Sequence, residues 1–207
     1  MDTTTVYRSQ VDVQAPEIVR IQQNVLSLIS ELKPSAVLEI GCGTGILGSR
    51  IADLGCRYVG LEPVDGPYQV GRQSFPHLNL RQALCYDDPA QLRLGKFDLV
   101  FSNDVIEHLY LPRQLVSFTK AHLCEGGTAV CCTPDYGNYL RNLIISLTGR
   151  WDHHHTPLWD GGHIKFFSRR TLWQIFAEGG FTRFEWRRIM SIRVPLTPMS
   201  MICIAQI

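Results

Sequence analysis

Apolar residues recur in the first part of the chain with the spacing of a helix. Between residues 14 and 33 they stand three and four positions apart, which is the period of one helix face. Pro16 falls where a first helical turn tolerates proline, and Pro34 closes the segment. This pattern predicts an amphipathic helix before the first strand.

Short β-rich runs then alternate with helical segments. An apolar, β-branched or aromatic composition marks the predicted strands, which are AVLEI (36–40), RYVGLE (57–62), LRQALCY (80–86), FDLVFS (97–102) and TAVCCT (128–133). Between them we expect a helix from about Ile46 to Leu54, a weak helix after the second strand, and a helix from about Pro112 to Leu123 that Gly126 and Gly127 stop. Such alternation is typical of a parallel sheet with covering helices.

The pattern changes after the fifth strand. A helical stripe over residues 140–147 ends at Gly149, and a segment rich in aromatic and histidine residues follows. Ser168 can cap a helix that stops at Gly179 and Gly180. The runs 181–189 and 196–207 are separated by a proline-containing turn and are predicted to form an antiparallel pair.

The composition favours one domain with a small partner. The chain has 207 residues, 45% of them hydrophobic, with 20 basic and 19 acidic side chains, so we expect no nucleic-acid partner. No apolar run is long enough to span a membrane, and the polar start has no signal-peptide core, so a cytoplasmic protein is expected. The odd number of cysteines, seven, favours reduced thiols. The predicted division is a single domain over 1–207, with an N-terminal arm and helix over 1–35; the oligomeric state stays open.

Three glycines alternate directly after the first strand. Gly41, Gly43 and Gly45 occur in VLEIGCGTG, with Cys42 as a small spacer, and such clustering indicates a backbone that turns sharply or admits a ligand closely. The second strand ends at Glu62, where an acid can accept the hydrogen bonds of a ribose diol. These features predict a nucleoside site at the carboxyl end of the strands.

Two ligand classes use this arrangement. A dinucleotide fingerprint places a third glycine where this chain has Ile46. The pattern here is E-x-G-x-G-x-G, which suits an amino-acid-bearing nucleoside whose positive group would lie near Glu39. A structural strand-to-helix turn is the remaining alternative.

The motifs VLEIGCGTG, GLEP, FDLVFSNDVIEHL and LCEGGTAVCCTP resemble those of class I S-adenosylmethionine-dependent methyltransferases. The similarity is to the small-molecule group with a type 11/23 methyltransferase domain, which includes ubiquinone-biosynthesis O-methyltransferases. It runs from Ala36 to Pro134 and continues more loosely through GHIKFFS. It implies an α/β, Rossmann-like fold: a seven-stranded, mostly parallel sheet with an antiparallel last strand and helices on both faces.

The resemblance also implies roles for single residues. Glu39 and the three loop glycines would line the methionine and ribose portions of S-adenosylmethionine, and Glu62 would hold the ribose hydroxyls. Pro63 would lie near the adenine, and Asp87 or Asp88 would meet the adenine amino group.

The end of the fourth strand supplies candidates for the chemistry. Asn103 and Asp104 stand at the sheet edge beside the expected cofactor, and Glu107 and His108 follow one turn later. A hydroxyl acceptor must lose its proton, so a base helps, and His108 can serve as base or substrate contact. The alternative is a capped helical turn. In related O-methyltransferases the corresponding acids and imidazole can bind a divalent cation, so Asp104, Glu107 and His108 are an alternative Mg²⁺ site to the expected absence of metal.

The segment 136–167 is predicted to be an insert that acts as a lid over the acceptor site. It carries His163 together with the aromatic and histidine residues Trp151, His153, His154, His155, Trp159, Phe166 and Phe167. We expect His163 to act as a base that titrates near neutral pH. A surface loop whose aromatic residues fill the core is the structural alternative.

The resulting hypothesis is an S-adenosylmethionine-dependent methyltransferase acting on a small molecule, with oxygen favoured as the acceptor atom. A non-catalytic cofactor-binding or protein-interaction module and a nicotinamide-dependent oxidoreductase are the alternatives.

Overall fold

The computed structural model describes residues 15–152, 161–192 and 198–207. Seven strands form one sheet in the order β3-β2-β1-β4-β5-β7-β6. Strands β1 to β5 pair in parallel, and β7 runs antiparallel to both β5 and β6. This confirms the predicted α/β sheet with one reversed last strand.

The elements have the following bounds. The strands are β1 Ala36–Ile40, β2 Arg57–Leu61, β3 Asn79–Arg81, β4 Phe97–Asn103, β5 Leu123–Pro134, β6 Arg183–Met190 and β7 Pro198–Gln206. The helices are α1 Pro16–Leu32, α2 Ile46–Ala52, α3 Asp65–Ser74, α4 Pro89–Leu92, α5 Pro112–His122, α6 Tyr139–Thr148 and α7 Arg169–Glu178, and a 3-10 turn spans Ile106–His108.

Two hydrophobic cores lie on opposite faces of the sheet. One face packs against α1 and α2, through Leu28 and Ile51 among others. The other packs against α5 and α7, where Leu115 and Leu172 are fully buried. Neighbouring residues along β1 point into different cores, so both faces of the strand are covered.

The predicted helix ends near the insert are confirmed. Gly149 closes α6 in the left-handed region at φ 68°, which glycine adopts without strain. Ser168 caps α7 in a reciprocal pair of side-chain hydrogen bonds with Thr171.

One predicted strand and one predicted helix stop were wrong. The run LRQALCY forms only the end of the short strand β3, because its later residues enter a turn in which Asp87 accepts the backbone N–H of Leu84 at 2.7 Å. Helix α5 ends at His122, within one residue of the prediction, but the glycine pair does not stop it, because Leu123 already pairs with Phe97 of β4. Gly126 instead lies within β5 at φ 73°.

Two expectations concern the described residues as a whole. No helix among them is long and apolar enough to cross a membrane. All seven cysteines lie within these ranges and carry free thiols, as predicted.

Candidate active site

The glycine loop folds back over the end of β2. Gly41, Gly43 and Gly45 have φ values of 75°, 55° and 77°, a left-handed region that side chains with a Cβ rarely adopt. The N–H groups of Gly41 and Cys42 donate to the carbonyl of Leu61 at 2.8 and 2.9 Å. The alternating glycines therefore serve a sharply turned backbone at the carboxyl end of the sheet.

Glu62 is bonded to this loop. One of its carboxyl oxygens accepts the N–H of Gly43 at 2.9 Å, and the other accepts the N–H of Val64 at 2.9 Å. Burial raises the pKa of Glu62, while the two backbone hydrogen bonds oppose the shift. Each oxygen retains a second lone pair, so the carboxylate can still accept hydrogen bonds from a diol.

The loop after β4 touches the glycine loop. A Cβ built on Gly41 would lie 2.5 Å from Cγ2 of Val105, so only glycine allows this approach. The preceding residue, Asp104, has φ 52°, an uncommon conformation for a residue with a side chain, and such strain concentrates at functional sites. The motifs GCGTG and NDVIEH therefore form one continuous edge.

Glu39 is the buried acid of β1. Its side chain is 3% exposed and accepts a hydrogen bond from the hydroxyl of Tyr58 on β2. Burial raises the pKa of Glu39 to about 8, against the opposing effect of the Tyr58 hydrogen bond. An acid in this state readily becomes a carboxylate beside a cation.

Asn103 and Asp104 present polar atoms without protein partners. Their side chains share a hydrogen bond of 3.1 Å, but Oδ1 of each is buried and makes no hydrogen bond. Burial raises the pKa of Asp104 to about 6. Because buried polar atoms normally have partners, these two oxygens fit a site that a ligand or solvent completes.

Glu107, His108 and His163 meet beside this edge. Each offers one nitrogen or oxygen atom within 4.8 Å of the others, and the two imidazole rings are 4.8 Å apart in an edge-to-face arrangement. The backbone carbonyl of Glu107 accepts the N–H groups of Ile164 and Lys165 at 3.0 and 2.9 Å. These bonds hold the end of the insert on the turn after β4 and bring the two predicted catalytic histidines together.

His163 does not have the predicted near-neutral pKa. Burial, the neighbouring His108 and Arg141 lower its pKa to about 4. Its Nδ1 shares a hydrogen bond with the hydroxyl of Tyr136. At neutral pH the imidazole is therefore uncharged, which leaves it able to accept a proton but makes it a weaker base than the sequence suggested.

His108 lies against the backbone of the insert. Its Nδ1 is 3.4 Å from the carbonyl of Gly162, which can accept a proton from that nitrogen. Burial lowers the pKa of His108, so its imidazole is uncharged at neutral pH.

Glu107 is fully buried. Its Oε2 accepts the Thr133 hydroxyl at 2.9 Å, whereas its Oε1 has no hydrogen-bond partner. Burial and the charge of Asp104 raise the pKa of Glu107 well above its usual value.

The side chains that group as possible metal ligands differ from the set inferred from sequence. His163 takes the place of Asp104 beside Glu107 and His108. Two imidazoles and one carboxylate are donors typical of transition metals, whereas Mg²⁺ prefers oxygen ligands. The donor set therefore does not favour Mg²⁺.

We expect turnover to persist after treatment with a chelator. The methyl transfer that the sequence resemblance implies is a displacement that alignment promotes, and two neutral imidazoles already stand at the site. The measurement is initial rate before and after dialysis against EDTA, with and without added Mg²⁺. A rate that falls with EDTA and returns with Mg²⁺ would contradict this expectation and assign the acids to a cation.

The remaining residues predicted to bind the cofactor follow β2 and β3. Both carboxyl oxygens of Asp88 are engaged with α4, by the N–H of Ala90 at 2.9 Å and the amide of Gln91 at 3.2 Å. Asp87 uses only Oδ2, in the turn described above. Asp87 is thus the better candidate for an adenine contact, and the adenine contact of Pro63, which follows Glu62, stays a prediction.

The Cys42 thiol is buried, and desolvation raises its pKa well above the usual value. This agrees with its interpretation as a spacer, because nucleophilic cysteines need a lowered pKa.

Three contacting residues escaped the sequence analysis. Tyr58, Thr133 and Tyr136 touch Glu39, Glu107 and His163 respectively. Tyr58 and Thr133 lie in predicted strands and read as ordinary strand residues, and no spacing signal distinguishes them. The expected contributions of His153, His154, His155 and Trp159 lie outside the described residues.

Solved structures share this fold. Magnesium protoporphyrin IX methyltransferase from Synechocystis, with bound SAH, aligns with a TM-score of 0.68 at 19% identity over 98% of this chain and 93% of its own. A methyltransferase from Archaeoglobus fulgidus aligns with a TM-score of 0.64 at 16% identity, over 89% of this chain and 93% of its own. The sheet and its loops therefore have the architecture of S-adenosylmethionine-dependent methyltransferases.

The family model described as "Methyltransferase domain" matches residues 13–184, so the chain belongs to that family. A probable S-adenosylmethionine-dependent methyltransferase from Mycolicibacterium smegmatis is 33% identical over 70% of this chain and 51% of its own length. A ubiquinone biosynthesis O-methyltransferase from Ruegeria sp. is 32% identical over 47% of this chain and 40% of its own. The matched regions thus span about half the length of these curated relatives.

Proposed function

We propose that this chain transfers a methyl group from S-adenosylmethionine to a hydroxyl group of a small-molecule acceptor. The observation that carries the proposal is the junction of two sites at one sheet edge. The glycine loop, which is hydrogen-bonded to Glu62, adjoins the turn that carries His108, and the ring of His163 lies 4.8 Å from that of His108.

The residues at this edge fit the donor. Backbone turned by three glycines leaves space for close approach, Glu62 suits a ribose diol, and Glu39 suits a positive group. When bound, S-adenosylmethionine supplies a methyl group on a cationic sulfur, which an oxygen nucleophile displaces in line. The orphan oxygens of Asn103 and Asp104 offer further acceptors beside it.

The imidazoles supply the proton acceptor. An acceptor hydroxyl that attacks the methyl carbon would lose its proton to one of these two uncharged imidazoles, and the sulfur would leave with the electron pair of its bond to the methyl group. The Tyr136 hydroxyl orients the neighbouring His163 ring. Oxygen as the acceptor atom is supported by this pair of bases and by the names of the ubiquinone O-methyltransferase relatives.

The insert favours an apolar acceptor. Helix α6 exposes a set of large hydrophobic side chains, which are Tyr139, Leu140, Leu143, Ile144 and Leu147. The base of the insert is closed by the Tyr136 N–H, which donates to the carbonyl of Phe167 at 3.0 Å. As an acceptor-site lid, this segment would offer an apolar surface next to the two histidines.

We expect calorimetry to show that the protein binds S-adenosylhomocysteine, whereas NAD gives no measurable heat. The third glycine of the dinucleotide fingerprint is replaced by Ile46, the first residue of α2. Tighter binding of NAD would contradict the proposal. Binding of S-adenosylhomocysteine without methyl transfer to any member of a phenol and catechol library would favour the non-catalytic alternative.

A further inference from the structure

The side chain of Tyr58 occupies a space that two glycines leave open beneath the glycine loop. The residue is buried, with 6% of its surface exposed. A Cβ on Gly48 of α2 would overlap the Tyr58 ring, and a Cβ on Gly60 would lie 2.7 Å from its hydroxyl oxygen. The ring therefore fits between β2 and α2 only because neither position carries a side chain.

The Tyr58 hydroxyl contacts the carboxyl group of Glu39 on the neighbouring strand β1. Glu39 stands opposite Gly60 in the parallel pairing of β1 with β2, and its carboxyl accepts the hydrogen bond from Tyr58. The missing side chain of Gly60 thus makes room for a diagonal contact across the two strands. This hydrogen bond holds the Glu39 carboxyl at the end of the Tyr58 side chain.

We propose that Tyr58 is a positioning residue for the methyl donor: its hydroxyl fixes the Glu39 carboxyl beneath the glycine loop, where the acid meets the ammonium group of the donor's amino-acid end. This inference rests on the proposed function, which places that end of the donor beside Glu39.

The contact also sets a proton equilibrium. The ionisable groups facing Glu39 in the described residues are Tyr58, Cys42 and Glu62, and none is a cation. The pKa of Glu39 is about 8, so the acid carries a proton at neutral pH when no ligand is bound. An ammonium group favours the carboxylate, so binding releases this proton.

The affinity for the methyl donor should therefore increase with pH up to the pKa of Glu39. Affinity for a cationic ligand is highest where Glu39 is already ionised, and it falls as the pH drops below its pKa, by up to about tenfold per pH unit. The Tyr58 hydrogen bond favours the carboxylate, so its loss moves the midpoint of this profile to higher pH.

The test is calorimetric titration of the purified protein with S-adenosylhomocysteine from about pH 6 to about pH 8.5, for wild type and for Tyr58→Phe, Glu39→Gln and Tyr68→Phe. Tyr58→Phe should weaken binding about tenfold at neutral pH, the scale of a lost hydrogen bond to a charged group, and raise the midpoint. Glu39→Gln should weaken binding further and give a flat profile. Tyr68→Phe removes a hydroxyl on α3 that accepts a hydrogen bond from Arg72 at 3.4 Å, and this variant should match wild type.

The outcomes separate the two proposals. If Glu39→Gln weakens binding while Tyr58→Phe keeps the wild-type affinity and midpoint, Tyr58 has no positioning role and the donor site stands. If Tyr58→Phe lowers only the melting temperature, the positioning role is likewise overturned. If Glu39→Gln keeps the wild-type affinity and profile, the donor does not meet Glu39, and the placement in the proposed function fails with it.

Discussion

Replacing Gly43 with valine is expected to abolish measurable binding of S-adenosylhomocysteine while the domain stays folded. Gly43 has φ 55° and donates its N–H to Glu62. A β-branched residue strongly disfavours this conformation, so the loop must shift and take the hydrogen bond to Glu62 with it. The backbone turn and the acid proposed to face the ribose would then be lost together.

Gly55→Val is the matched control for this prediction. Gly55 also has a positive φ, of 85°, but it lies in the exposed turn before β2, where an added Cβ would meet no atom within 4 Å. Both variants carry a similar backbone strain, on the order of 1 to 2 kcal/mol, so both should melt earlier. Only Gly43→Val should lose the calorimetric signal; an unchanged affinity in a folded Gly43→Val protein would remove the glycine loop from the donor site.

Changing His163 to alanine is expected to lower kcat by roughly a hundredfold, the usual scale for a lost general base, with the affinity for S-adenosylhomocysteine nearly unchanged. The His163 ring lies edge-on to His108 and shares a hydrogen bond with the Tyr136 hydroxyl. Its loss removes one imidazole and leaves the His108 ring free to reorient. The glycine loop lies on other elements and keeps its own hydrogen bonds. Single-turnover rates with an accepted phenol would measure the effect directly.

His122→Ala controls for the loss of a buried imidazole. His122 is 2% exposed, and its Nδ1 lies 2.9 Å from the carbonyl of Phe118 at the end of α5. This position is next to the start of β5, at the opposite edge of the sheet from the proposed site. The His122→Ala substitution should lower the melting temperature and leave kcat unchanged. Full turnover by His163→Ala would reduce His163 to a structural residue.

The periodicity of the sequence predicted most of the fold because it reports burial directly. A helix such as α1 needs one apolar face, and β1 needs two covered faces; both demands are visible in residue order. The run LRQALCY was predicted as a strand, but its later residues form a turn in which Asp87 accepts a backbone hydrogen bond. A turn that is stabilised by one side chain has no regular spacing of apolar residues, so the sequence pattern does not reveal it.

The parts of the candidate site that could be predicted are those in which a sequence motif directly follows a strand. The glycine loop, Glu62 and the turn bearing His108 all follow strands, so their meeting at one edge could be foreseen. The low pKa of His163 could not be foreseen, because it depends on burial by elements that are far apart in sequence. The pairing of Tyr58 with Glu39 was hidden for a similar reason, since it depends on the register of β1 with β2.

The backbone hydrogen bond from Tyr136 to Phe167 brings the two ends of the insert together. Changes in length or composition between these ends need not displace β5 or α7, because both are anchored outside the junction. The segment between these ends can therefore change without altering the sheet. If the insert is the acceptor-site lid of the proposed function, acceptor preference can diversify through replacement of this one segment, while the residues proposed to bind the methyl donor stay unchanged.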